Sequence, residues 1–362
     1  RTNQAFRPHV MDMFMAQQHP NDFAYPGGPP TPPYDNAGWT LAYQMGIEFD
    51  PVLDGFEGPF EKLQGLQEVS DGQVIGSSAD GYIFDHGQNN SFLVVNKLLQ
   101  KGQEVHWLLD DSDASQLSPG AFYVSSEGLS VGDVEMLTEG VGVDFYSSVQ
   151  PQGETLQLDK PRIALWDRYG GSMPSGWTRK ILEDFGFDFT VVFPQEITSN
   201  RLSSDYDVLI LEDGAVPDFG RQMRGIDPDR IPQEYQNRLG AITIEEGIPE
   251  ILAFVEQGGV VIAIGGSAVL GYHAGLPISD HLMEAGRPVT RDEYFTPGSI
   301  HSIKLESSSP LTHGLGEHLD VIISHSPVFS LNEGHEEQGV RRVGWFDTSQ
   351  PLKSGWAWGQ ER

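Results

Sequence analysis

Short apolar runs separated by longer stretches of helical periodicity dominate the middle of this chain. Residues 163–166, 187–193, 207–211 and 260–264 are such runs, the texture of strands covered on both faces of a parallel sheet. Between the first two, Trp177, Ile181 and Phe185 recur every four residues and predict the buried face of a helix. Gly186 closes that helix, and a helical crossover between two strands implies a right-handed parallel pair. Pro249 suits the first turn of a later helix, with Ile251, Leu252 and Val255 expected to face inward. Gly258 and Gly259 end it.

Upstream the pattern is different. Residues 7–17 predict a short helix with Val10, Met11, Phe14 and Met15 on one side. Six prolines between Pro20 and Pro33 then forbid a regular helix or central strand and favour extended chain. Tyrosines and Phe23 within this stretch mark it as a strap lying on a protein surface. Trp39, Leu41, Tyr43, Met45 and Ile47 predict a connecting helix over 38–49. From 72 onward a small α/β domain is predicted: strands at 81–85, 104–109 and 121–124, and helices at 89–101 and 131–140, the first with an apolar stripe of Phe92, Val95, Leu98 and Leu99. Beyond 270 the pattern weakens, with strands expected at 300–305, 319–323 and 340–346. The predicted organisation is therefore a Pro-rich strap and connecting helix over 1–71, a small α/β domain over 72–155, and an α/β domain over 156–362. The last is expected to be truncated at its C-terminus, and Arg1 in place of Met marks the chain as a piece of a longer polypeptide.

Composition narrows the chemistry. With 22 Lys and Arg against 52 Asp and Glu, the formal charge is −30, which argues against a nucleic-acid backbone or an anionic membrane surface as partner. No run approaches the ~20 apolar residues that span a bilayer. There are no cysteines, so disulfides, thiolate metal sites and a cysteine nucleophile are excluded.

Three loops leave the predicted parallel strands at their carboxyl ends, where ligands bind in open α/β sheets. The first holds Asp167, Arg168, Tyr169, Gly170, Gly171, Ser172 and Ser175. Backbone amides at the following helix start, together with Arg168, are suited to a carboxylate or phosphate, whereas Ser175 also reads as a helix cap. The second loop starts at Glu212 and opens a long polar stretch over 215–247, a length that points to function or to a lid. The third is Gly265-Gly266-Ser267. A nucleophile elbow needs G-x-S-x-G, and its fifth position here is Val269, so Ser267 reads as part of a tight turn or as a hydrolase nucleophile without an assigned base. His281 and Glu284 match an H-x-x-E pair, but a catalytic zinc needs a third ligand, and His301, His313, His318, His325 and His335 show no ligand spacing. Asp110, Asp111 and Asp113 lack a calcium-loop pattern and read as a solvated acidic cluster.

Two resemblances add to this reading. Residues 205–214, DYDVLILEDG, and 258–276, GGVVIAIGGSAVLGYHAGL, look like the core of the class I glutamine amidotransferase-like fold. That resemblance implies a flavodoxin-like, doubly wound parallel sheet. Active members carry a cysteine at the turn that falls here on Gly265 to Ser267, so glutamine-dependent ammonia release is not implied. Residues 7–14, 19–46, 161–185 and 354–360 are similar to the region downstream of the peptidase domain in large secreted bacterial proteins of the carboxypeptidase A-type zinc peptidase family. This implies a non-catalytic accessory region, secreted or periplasmic, whose partner is the upstream peptidase domain of the same polypeptide. Zinc is then expected only in that peptidase domain and no cofactor in this chain. A peptide or small-molecule ligand is the further partner implied, with a serine hydrolase using Ser267 and a carbohydrate- or peptide-binding module as alternatives.

Overall fold

The computed structural model describes residues 6–38, 40–61, 63–76, 80–109, 117, 120–218, 226–324 and 326–362. Trp39, His325 and the acidic cluster Asp110, Asp111 and Asp113 lie outside the described residues. By contacts the chain divides into two compact units, one of residues 1–67 with 276–362 and one of 68–275.

The N-terminal part of the first unit holds two short helices, α1 (Arg7–Phe14) and α2 (Leu41–Gln44). The predicted helix over 38–49 shrinks to the single turn of α2. Thr40, its N-cap, makes no capping bond; its hydroxyl instead lies 2.8 Å from Ser354 Oγ and donates to Met15 O at 3.0 Å.

The second unit contains two sheets. The first is mixed, in the order β1 (Val74–Ile75), β5 (Phe145–Ser148), β2 (Gly81–Phe84), β4 (Phe122–Ser125), β3 (Val105–Leu108), β6 (Thr155–Leu158). Helices α3 (Asn89–Gln100) and α4 (Val131–Thr138) cover one face over a core that includes Phe84, Val94, Leu98, Phe122, Val134 and Phe145. Ser130 and Asp133 close α4 with a reciprocal capping box.

The second sheet is wholly parallel, in the order β10 (Val260–Ala263), β9 (Val208–Leu211), β7 (Ile163–Trp166), β8 (Phe189–Val192). Arg162 and Asp207 fix the entry to its two central strands through a bidentate pair, with Arg162 N also donating to Asp207 Oδ2 at 2.8 Å. Helix α5 (Met173–Asp184) covers Ile163, Leu165 and Ile210 on one face. The other face packs on α6 (Pro194–Ile197), α7 (Leu202–Asp205), α8 (Gly247–Glu256) and α9 (Leu270–His273). Within α8 the inward residues are Ile248, Ile251 and Phe254, while Val255, expected inside, is exposed.

The predicted face of α5 is also corrected. Trp177 and Ile181 are 67% and 57% exposed, and the buried side carries Ser175 and Leu182 with half-buried Thr178 and Arg179. The reason is polar: that face must reach two buried carboxylates at the strand ends, so the apolar stripe turns outward.

The C-terminal part of the first unit does not continue the parallel sheet. Strands β11 (Ile278–Asp280), β12 (Met283–Glu284), β13 (Arg287–Pro288), β14 (Ser299–Leu305), β15 (His318–Ile323), β16 (Phe329–Leu331), β17 (Gly344–Trp345) and β18 (Leu352–Ser354) pair only antiparallel. The Pro-rich strap lies on this part of the chain. Gln18 bridges Gly355, Trp356 Nε1 donates to Asn21 Oδ1 at 2.7 Å, and Gly38 N donates to Gly298 O at 3.0 Å.

Candidate functional site

In the parallel sheet, β7 connects through α5 to β8 on one side and is flanked by β9 on the other. The carboxyl ends of β7 and β9 therefore form the switch point where ligands lie in open sheets. The structure brings together there all three loops singled out from the sequence.

Asp167 follows β7 and is 5% exposed. Its Oδ1 accepts hydrogen bonds from the backbone N–H groups of Arg168 and Ser172, both at 2.8 Å, and its Oδ2 pairs with the Arg179 guanidinium. The start of a helix offers free amides and the positive end of the dipole to an anion. Here that anion is the protein's own carboxylate. Asp167 thus takes the amides of Arg168 and of the N-cap residue Ser172 in the loop where the sequence placed an external carboxylate or phosphate, and Arg168 points its exposed side chain toward Gly171 O, with Nε 3.4 Å away.

Glu212, at the end of β9, is 2% exposed and its Oε1 accepts from Thr178 Oγ1 of α5. A carboxylate so buried needs such a donor. Asp213, the next residue, is exposed and accepts from Gly266 N at 2.7 Å. Gly265 has a φ of +59°, and a Cβ on Gly266 would lie 2.7 Å from Asp213 Oδ1. The two glycines, which the sequence assigned to ligand binding, make room for the internal carboxylate of Asp213.

Ser267 is fully buried. Its Oγ donates to Glu212 O at 2.5 Å and accepts from Ala215 N at 3.0 Å and Val216 N at 3.1 Å. A hydroxyl has one proton and two lone pairs, and all are engaged. Ser267 thus fastens the turn after β10 to the loop after β9. His273, six residues on, has Nε2 donating to Pro217 O at 2.8 Å, so it is not directed at Ser267 as a base.

Ser172 occupies the N-cap of α5 without a side-chain capping bond. Ser175 is fully buried within the first turn and its Oγ has no partner among the described residues; the N-cap position falls on Ser172, so Ser175 is not the cap expected from the sequence. Tyr169 reaches outward, its ring 6.3 Å from that of Tyr235. Sequence reasoning did not find Tyr235 or Arg238, because they lie in the aperiodic 215–247 stretch. A short helical turn over Gln233–Arg238 docks this stretch at the strand ends. Gln195 Nε2 donates to Gln236 O at 2.9 Å and Leu239 O at 3.1 Å, and Arg238 lies over the Phe193 and Tyr235 rings, 5.1 Å from each centroid.

The H-x-x-E pair sits on extended chain rather than a helix. Glu284 pairs with the Arg362 guanidinium, and His281 Nε2 donates to Arg362 O at 2.9 Å. Among the described residues no group of three or more His, Asp or Glu side chains is placed to hold a metal ion, and no helix is long and apolar enough to cross a membrane.

No protein-family model matches the chain, and comparison with curated proteins and with solved structures finds no match.

Proposed function

We propose that this chain is a non-catalytic accessory region of a secreted, zinc carboxypeptidase-type protein. In this reading its flavodoxin-like, amidotransferase-like unit supports the peptidase and holds a ligand without cleaving it. The fold part draws on the strand order: numbered from β7, the parallel sheet runs 2-1-3-4, the flavodoxin-like sequence of strands. The family part draws on the motifs at 7–14, 19–46, 161–185 and 354–360. By that resemblance zinc belongs to the peptidase domain, and none of that domain's ligands maps onto a residue here.

The observation that carries the non-catalytic reading is Ser267. Its hydroxyl is buried and used three times over, at the turn where active amidotransferases place a cysteine. A nucleophile needs an exposed oxygen and a base within hydrogen-bond reach, and Ser267 has neither.

The purified chain is expected to show no turnover of p-nitrophenyl esters, glutamine or peptides with a free C-terminus. Ser267→Ala is expected to leave that background unchanged while lowering stability by about 2 kcal/mol, since buried Val216 N loses its acceptor, while Ala215 N and Glu212 O keep each other at 3.0 Å. Ester or amide turnover that disappears in Ser267→Ala would establish the hydrolase instead.

A further inference from the structure

The second unit contains six described arginines. Arg162, Arg179, Arg201 and Arg230 each pair with an aspartate. Among the described residues Arg168 and Arg238 have no carboxylate within ion-pair distance, in a chain whose acidic residues outnumber basic ones 52 to 22. Both flank the same aromatic group at the carboxyl ends of β7 and β8. Arg168 adjoins Tyr169, Tyr169 meets Tyr235, and Arg238 lies over both Tyr235 and Phe193.

A guanidinium resting on two rings is attracted to their faces and held in place by them. Its N–H groups lie in the guanidinium plane, in the fork that matches an oxyanion. The nearby carboxylate of Glu196 is already engaged, accepting from Phe193 N at 2.9 Å. Arg238 is exposed, while Tyr169 and Phe193 are half-buried, so an oxyanion bonded to the guanidinium would carry its organic group onto ring surface.

We infer that Arg238, with Phe193, Tyr235 and Tyr169, forms a recognition site for an organic oxyanion, a carboxylate or phosphate attached to an aromatic or similarly apolar group. The site lies beside the self-filled switch point and not in it: Asp167, Asp213 and Ser267 occupy the inner amides, and the outer rim supplies the free cations. This deepens the ligand-holding part of the reading above and rests on that part alone.

The test is calorimetric titration of the whole chain, at one fixed ionic strength, with N-acetylphenylalanine, phenyl phosphate and the uncharged N-acetylphenylalanine amide. The two anions are expected to bind and the amide to bind at least about tenfold more weakly, the loss of one charge-assisted hydrogen bond. The tighter of the two anions identifies the oxyanion. Arg238→Ala is expected to weaken anion binding about tenfold or more with an unchanged thermal midpoint. Arg238→Lys keeps the charge without the planar fork and is expected to fall between. No binding by the wild type, equal binding of the amide, or undiminished binding by Arg238→Ala would each overturn the site, and none of these bears on whether the chain turns over a substrate.

Discussion

Asp167 shows how a residue that looks like a binding group becomes a structural one. It accepts two backbone amides and a guanidinium, and with only 6% of its side chain exposed its charge is shielded from water. Removing one partner of such a pair leaves the other charge and the amides short of partners. Asp167→Ala is therefore expected to destabilise the second unit by about 3 kcal/mol, whereas Asp167→Asn, which still accepts from the amides, is expected to lose less. Urea unfolding of both variants reads the difference. A neutral effect of Asp167→Ala would mean that the carboxylate is held in place for an outside ligand. The sequence placed Asp167 at the right strand end but not its partner, because Arg179 lies twelve positions away on a helix face that periodicity assigned to solvent.

At the scale of elements, the strands of the parallel sheet were legible because each is a short, continuous apolar run, although only the central β7 and β9 are covered on both faces as that texture implies, and Val260 and Ile262 of the edge strand β10 are exposed. The orientation of α5 was not. Its apolar stripe of Trp177 and Ile181 is the stronger periodic signal, yet Thr178 and Arg179 face inward to meet Glu212 and Asp167. Polar demand from two buried carboxylates overrode the hydrophobic pattern. After 276, β14 and β15 were legible as strands and β17 fell within the expected 340–346, while β11, β12, β13, β16 and β18 were not read; nor was the antiparallel pairing, since a half-covered strand announces its faces and not its neighbours. One of them makes a testable pH prediction. His301 in β14 is 3% exposed, its Nδ1 donating to Ser299 O at 3.3 Å, and burial pushes the imidazole below its ordinary 6.5. The unfolded chain takes up a proton that the folded strand resists. This contribution to stability is therefore complete above 6.5 and is lost as the pH falls from there through the depressed folded value. Thermal midpoints are expected to fall between about pH 7 and 5, with a shallower slope in His301→Leu. Equal slopes would show that His301 is not the group responsible.

For the whole molecule, the parallel sheet presents at its carboxyl ends a ligand-type geometry that the chain fills with its own groups. Asp167 takes the amides of Arg168 and Ser172, Asp213 takes that of Gly266, and Ser267 takes those of Ala215 and Val216. Sequence reading located all three loops and ruled out a cysteine nucleophile, but it could not see that the loops after β9 and β10 answer each other, because those bonds span up to 55 residues. What remains open to an outside partner is the rim of Tyr169, Tyr235 and Arg238, and the surrounding charge of −30 favours neither nucleic acid nor an anionic membrane there. Amide hydrogen exchange followed by NMR on the intact chain tests this most directly. The account predicts that the amides of Arg168, Ser172, Ala215, Val216 and Gly266 exchange slowly without any ligand, and that the amide of Val216 loses protection in Ser267→Ala while that of Ala215, which also donates to Glu212 O, keeps it. Fast exchange at these five amides in the unliganded protein would contradict it, because it would show the strand ends open and waiting to be filled.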